Sequence, residues 1–251
     1  MLVHRNREIN KEDRVFLLQT LRDQLGRQVF LVNRLDRATS GLMVVAFDSE
    51  TCALLQASLQ SDSAEKEYVV VCRGRTESVF ESRRPLSDKY SKARTSREAH
   101  TSFRTLAHFD IEIEEPFIPS RGVPEAEGVI LEGEAFRRNL TVSVVSATLH
   151  TGRTHQIRRH LQNLAHHPLG DTSYGKGRIN DSLRASYGLP RLCLHAARMA
   201  FAHPLTGERL ELHEPFPTDL AAFLRTCPDA PPADDIDRMI RSGEGVAVPA
   251  L

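Results

Sequence analysis

The stretch Asn33-Arg34-Leu35-Asp36-Arg37-Ala38-Thr39-Ser40-Gly41 sets one carboxylate, Asp36, between two guanidinium groups, Arg34 and Arg37. A carboxylate so placed can attack or hold a reacting group, which is nucleophilic work. The plainer reading is an Asp that caps a turn and pairs with a neighbouring Arg. The apolar run Leu42–Phe47 follows, bounded by Gly41 and Asp48-Ser49. It predicts a buried strand, so Asp36 lies on a loop entering a rigid element, where reacting groups are commonly mounted.

Two further stretches carry chemistry. Glu65–Gly74 predicts a strand whose alternation puts Lys66, Tyr68 and Val70 on one face. A strand Tyr is usually packing, but its ring can also stack on an unstacked base. His150-Thr151-Gly152-Arg153-Thr154-His155-Gln156-Ile157-Arg158-Arg159-His160-Leu161 reads as a strand end, a glycine turn and a helix. Thr151 or Thr154 is the expected cap, with Ile157, Leu161 and Leu164 inward. Arg158, one position round from Ile157, can reach an active site. Arg153, Arg159 and His160 point to solvent or phosphate.

His155, His160, His166 and His167 raise a metal reading. Their spacing is not that of H-E-x-x-H, and no acidic ligands accompany them. No metal is expected. No G-x-G-x-x-G, no G-x-x-x-x-G-K-[ST] and no G-x-S-x-G stretch occurs, so no nucleotide cofactor or serine elbow is implied. Cys52, Cys72, Cys193 and Cys227 form no C-x-x-C pair and read as reduced thiols.

The elements that must position these groups follow from pattern. A helix is expected over Lys11–Gln24, closed by Gly26, then a strand Val29–Val32. Asp48 or Ser49 caps a helix Glu50–Gln60. Arg83–His100 is an exposed basic loop or hairpin carrying Lys89, Lys92, Arg94 and Arg97. Ala99–Ala107 and Asn139–Leu149 alternate as strands, and Glu114–Gly133, rich in Pro and Gly, is a long surface loop. Arg191–Ala196 opens another strand or short helix. Residues 226–251, acidic and Pro-flanked, are expected to be a disordered tail after a domain spanning residues 1–225.

A chain of 251 residues is long enough for a sizeable core. No apolar run reaches the roughly 20 residues that cross a membrane, and the polar N-terminus shows no secretory signal. A cytoplasmic protein, monomeric and without membrane contact, is therefore expected. The net charge is zero, but the charges are segregated. Ala135–Gly170 holds no acid and five Arg, whereas Asp110–Glu134 holds eight acids against one Arg. A basic segment of that kind is a footprint for a phosphate backbone.

In order, these stretches resemble the RluA-type pseudouridine synthases, whose motif is written H-R-L-D-R-x-T-S-G. Lys66-Glu67-Tyr68 resembles their K-x-Y, and Gly152–Arg158 their G-R-[TS]-H-Q-[IL]-R. His167–Asp171 with Tyr174-Gly175, and Leu194-His195-Ala196 with His203-Pro204, match later blocks. The likeness covers roughly Met1 to Pro215 and is greatest to the branch that modifies transfer RNA. Asn33 departs from the pattern, standing where the family has His. Leu2-Val3-His4 matches only the end of the family's first strand, so the resemblance implies either a start further upstream or a missing edge strand.

The resemblance implies an α+β fold, a mixed, mainly antiparallel sheet with flanking helices and a central cleft. It implies isomerisation of uridine to pseudouridine in structured RNA, transfer RNA ahead of ribosomal RNA, with no cofactor. Asp36 would be the nucleophile and Arg158, ahead of Arg153, its basic partner. Tyr68 would stack on the target base and take the proton at C5. Arg34 would enter the space left by a flipped nucleotide, with Leu194 beneath Tyr68. Arg37, Lys66, Arg153, His155 and Arg159 are read as RNA contacts. The alternatives are a catalytically idle RNA-binding factor, which the retention of Asp36, Tyr68 and Arg158 argues against, and a metal hydrolase.

Overall fold

The computed structural model describes residues 17–87, 95–116 and 135–243. In chain order the elements are α1 (Leu17–Leu25), β1 (Phe30–Leu31), β2 (Ser40–Gly41), β3 (Val45–Ala46), α2 (Ser49–Gln60), β4 (Glu65–Arg73), β5 (Val79–Ser82), β6 (Leu86–Ser87) and β7 (Ser96–Arg97). Then come β8 (Thr101–Pro116), β9 (Ala135–Leu149), α3 (Gln156–Asn163), α4 (Gly177–Tyr187), β10 (Leu194–Ala202), β11 (Arg209–His213), α5 (Thr218–Thr226) and α6 (Ala233–Ser242). Met1–His4, the start of the first expected helix, Lys89, Lys92, Arg94 and residues 117–134 lie outside the described residues.

A sheet of seven strands runs β11-β10-β4-β9-β8-β5, with β2 joining β10. Only the β2–β10 pairing is parallel. The expected mixed, mainly antiparallel sheet with flanking helices is therefore present. β4 is central because both its faces are apolar: Val69, Val70, Val71 and Cys72 are all buried. Alternation divides them. Tyr68, Val70 and Cys72 pack with Phe103, Val145, Leu194, Ile157 and Leu161 of α3. Val69 and Val71 pack with Val142, Val144, Phe223 and Ile236 on the face that α4, α5 and α6 cover. A third cluster, Val32, Ala46, Cys52, Leu59 and Phe201, seats α2, whose N-cap is Asp48, its carboxylate accepting from Thr51 N at 2.7 Å. No helix among the described residues is long and apolar enough to cross a membrane.

Several expectations are corrected. Residues expected as a disordered tail form α6, with Ile236 and Ile240 in the main core. Its acids occupy the first turn and Arg241 the last, a distribution that suits the helix dipole. The expected strand Leu42–Phe47 narrows to Val45–Ala46, because Leu42 N donates to Ala196 O of β10 instead. The charge segregation seen along the chain partly cancels in space. β8 and β9 pair Glu114 with Arg137, which also forms ion pairs with Glu112 at 3.4 Å and Glu114 at 2.8 Å. α3 has no threonine cap; His155 occupies the N-cap position, and Leu164 is exposed beyond the helix.

Candidate active site

The loop that carries Asp36 is held at several points. Asn33 Oδ1 accepts from Val44 N at 2.7 Å, so the amide ties the two arms of the loop together. Thr39 N donates to Asp36 O at 2.9 Å, closing a tight turn. Gly41 sits at φ 109, and a Cβ there would run into the backbone of Ala196, so only glycine lets β2 lie on β10. Behind the loop, Arg191 donates to Ser40 Oγ at 2.9 Å and to Ala38 O at 3.2 Å while paired with Asp219. Ser40 Oγ also meets His195 Nδ1 at 3.0 Å. His195 Nε2 faces Glu214 O, which can only accept, so Nε2 carries the proton and Nδ1 accepts from the serine. Burial lowers the pKa of His195, in keeping with that neutral tautomer.

Asp36 meets Arg158, from 122 residues further along the chain. Arg158 Nη1 donates to Asp36 Oδ2 at 3.0 Å, and its Nε and Nη2 grip Asp171 at 2.7 and 2.9 Å. Asp171 is fully buried and also accepts from Ser173 N and Tyr174 N. Burial opposes charge on both groups. For Arg158 the carboxylates outweigh it and hold the guanidinium above its usual range; for Asp171 Arg158 and the backbone donors hold the carboxyl low. Arg158 is thus oriented by one carboxylate and presented to the other. Asp36 keeps 18% of its side chain exposed, toward a cavity of about 500 Å³.

That cavity is lined by Asp36, Tyr68, Arg34, Lys66, His155 and Leu194, with Arg153 and Arg158. Tyr68 is 8% exposed, and burial first, then the charge of Asp36, pushes its phenol up to about 12. Lys66 Nζ donates to Leu59 O at 2.9 Å, and burial lowers its pKa. Arg153 Nε donates to Glu98 O at 2.9 Å. His155 is the second group on Asp36, with Nε2 3.8 Å from Oδ1.

Two expected contacts stand outside this cavity. Arg37 is exposed on the loop. Arg159 Nη1 donates to Ser87 O at 2.9 Å and lines a separate polar groove with Arg84, Ser96 and Tyr174. His160 does not reach solvent. It is fully buried, its Nδ1 on Thr101 Oγ1 at 2.9 Å and its Nε2 on Arg84 O at 3.0 Å. His166 and His167 are each spent on backbone carbonyls. Among the described residues no group of three His, Cys, Asp or Glu side chains could hold a metal ion.

Asp171, Tyr174 and Gln156 stand in the sequence only as positions within motifs, with no role assigned to them. Gln156 Oε1 accepts from Thr151 Oγ1 and Arg153 N, and its Nε2 donates to His100 O and Thr101 Oγ1 at 2.9 Å each. This buried amide, not a threonine cap, shapes the turn before α3. The available signal was the need of a buried Arg158 for more than one acceptor.

A carboxylate at the wall of such a cavity, with a fixed guanidinium behind it, is an arrangement suited to carboxylate chemistry. Comparison with known proteins narrows the class. Residues 1–163 match the family described as RNA pseudouridylate synthase. The chain is 33% identical to tRNA pseudouridine synthase C of Haemophilus ducreyi, over 84% of this chain and 82% of the relative. It is 34% identical to the protein of that name in Pasteurella multocida, with the same coverage. Its fold is similar to that of human RNA Pseudouridylate Synthase Domain Containing 1, with TM-score 0.62 at 21% identity, covering 94% of this chain and 87% of that one. The chain belongs to the RNA pseudouridylate synthase family.

Proposed function

We propose that this enzyme converts uridine to pseudouridine in transfer RNA. The observation that carries the reading is Asp36 at the cavity wall, bound on one oxygen by Arg158 and partly exposed to the cavity. The relatives named tRNA pseudouridine synthase C support the choice of RNA. In this reading Asp36 attacks C1′ of the nucleotide and Arg158 holds its charge and orientation. Tyr68 packs against the uracil from β4, over Leu194. Arg34 fills the stack that the flipped nucleotide leaves. Lys66 and Arg153 at the rim, and Arg37 and Arg159 outside it, meet the backbone. In this reading the working unit is a monomer, and a transfer-RNA substrate implies action in the cytoplasm.

The test is chemical mapping of pseudouridine in total RNA from cells lacking the protein, complemented with wild type or Asp36→Asn. Loss of one transfer-RNA mark, restored by wild type alone, is the expected result. Loss of a ribosomal mark instead overturns the substrate, and full restoration by Asp36→Asn overturns the chemistry.

A further inference from the structure

Thr39 differs from every other polar residue of the Asp36 loop. Four side-chain polar atoms among the described residues are shut off from solvent with no hydrogen-bond partner, on Arg22, Thr39, Ser182 and His213. Thr39 is the one of these residues that lines the cavity of Asp36. A buried hydroxyl without a partner costs free energy, because it has given up water and received nothing in return. Nothing in the packing calls for a hydroxyl at this position. Leu35, Ala38 and Leu42 rest on the apolar cluster beneath the loop, and their side chains offer Oγ1 no acceptor. Ser40, next along, uses its own hydroxyl on His195 and Arg191.

The position of Thr39 decides what its hydroxyl can serve. Thr39 N donates to Asp36 O at 2.9 Å, so one tight turn holds both the carboxylate and the hydroxyl. The residue as a whole is half-buried, and a turn about χ1 exchanges its hydroxyl and methyl, so Oγ1 can reach the cavity. The cations of the cavity, Arg34, Lys66 and Arg153, suit phosphate. A neutral hydroxyl, donor and acceptor at once, suits another hydroxyl. With Asp36 at C1′, that group is the ribose 2′-OH, which sits on the adjoining carbon and is likewise donor and acceptor.

We propose that Thr39 Oγ1 binds the ribose 2′-OH of the target nucleotide and so reads the sugar as RNA, an assignment that rests on the reading of Asp36 as the group that attacks C1′. The substrate supplies the partner that the free enzyme lacks. The cost of the buried hydroxyl is carried by the free enzyme and removed in the complex. The contact therefore separates ribose from deoxyribose beside the carbon where the glycosidic bond is exchanged.

The test uses the full chain and transfer-RNA transcripts on which wild type acts, assembled by ligation so that the converted uridine carries either ribose or 2′-deoxyribose. Thr39→Val exchanges the hydroxyl for a methyl of similar size, and Thr39→Ser keeps the hydroxyl. Expected for Thr39→Val is a melting temperature at or above that of wild type, since an unpartnered hydroxyl is gone, with kcat/KM on the ribose substrate lower by about tenfold. Thr39→Ser stays within about threefold of wild type. The 2′-deoxy substrate costs wild type about tenfold or more and Thr39→Val no more than about threefold, because the variant has already lost the contact. A merely structural hydroxyl would not move that sugar dependence. A Thr39→Val rate within about twofold of wild type, a 2′-deoxy penalty as large in Thr39→Val as in wild type, or a lowered melting temperature of Thr39→Val overturns the assignment. Failure of wild type to convert the ribose transcript overturns the functional reading itself, a different result.

Discussion

Two arginine networks sit on opposite faces of the same central strands. On the cavity face Arg158, 8% exposed, lies between buried Asp171 and partly open Asp36. On the other face Arg198 of β10 pairs with Glu65 at 2.5 Å, Glu211 at 2.7 Å and Glu67 at 3.8 Å. Glu67 also accepts from Ser146 Oγ and Arg104, which reaches Met239 O near the end of α6 at 3.4 Å. The second network closes on itself: each of its carboxylates meets at least one arginine from the next strand. The first sets a carboxylate, Asp36, at the wall of the cavity, with Arg158 on one oxygen and His155 Nε2 3.8 Å from the other. Similar chemistry therefore ties strands together on one side of β4 and borders a cavity on the other.

Breaking the two networks should give opposite readouts. Asp36→Asn should abolish conversion, by at least ~10⁴-fold in kcat, as expected for loss of a nucleophile. Its melting temperature should stay near wild type, because Arg158 keeps Asp171; a large fall would make Asp36 a structural residue. Asp171→Asn should cost about 3–5 kcal/mol, read by denaturant unfolding, because it leaves a buried guanidinium without its main partner. Activity should fall with it, since nothing else aims Arg158. Glu67→Gln, on the closed face, should cost about 1–3 kcal/mol of stability while single-turnover rates on RNA hold. A matched loss of rate would show that the two faces are coupled.

The smallest effect sharpens the cavity side. Tyr68 titrates near 10 in an unfolded chain and is pushed up to about 12 in the fold. Between those values the folded protein holds the extra proton, so stability falls as pH rises. Tyr68→Phe should therefore lose about 1 kcal/mol less than wild type between about pH 9 and about pH 11 in urea titrations. Equal slopes would mean that the phenol is not buried as described.

Much of the cavity side was legible because its residues lie in short, dense stretches. Alternation put Lys66, Tyr68 and Val70 on one face, and the step from Ile157 to Arg158 turned the guanidinium toward the site. The closing partners were not legible. Nothing in spacing links Asp171 to Arg158, or Arg191 to Ser40; those contacts exist only after the sheet has folded. The helix at Ala233–Ser242 was masked by its acids, which read as solvated tail. Ile236, Met239 and Ile240 at helical spacing, with Pro232 before and Gly243 after, were the signal for it. The segregated charges misled in the same way, since Glu114 and Arg137 are far apart along the chain and neighbours across β8 and β9.

The pairing of β4 with β10 has a consequence for how the chain is made. Tyr68 lies opposite Ala196, and the end of the Asp36 loop, Gly41, lies along that same residue. Both wait on a strand that is made long after them in the chain. Contacts so distant in sequence form late, since closing a long loop costs entropy before any packing offsets it. A nascent chain holding Asp36 and Arg158 but not β10 has the reacting side chains without a wall to set them against. Activity in this protein is a report of β10 having paired, and single-turnover conversion should appear during refolding no sooner than the protection of β10 amides from hydrogen exchange.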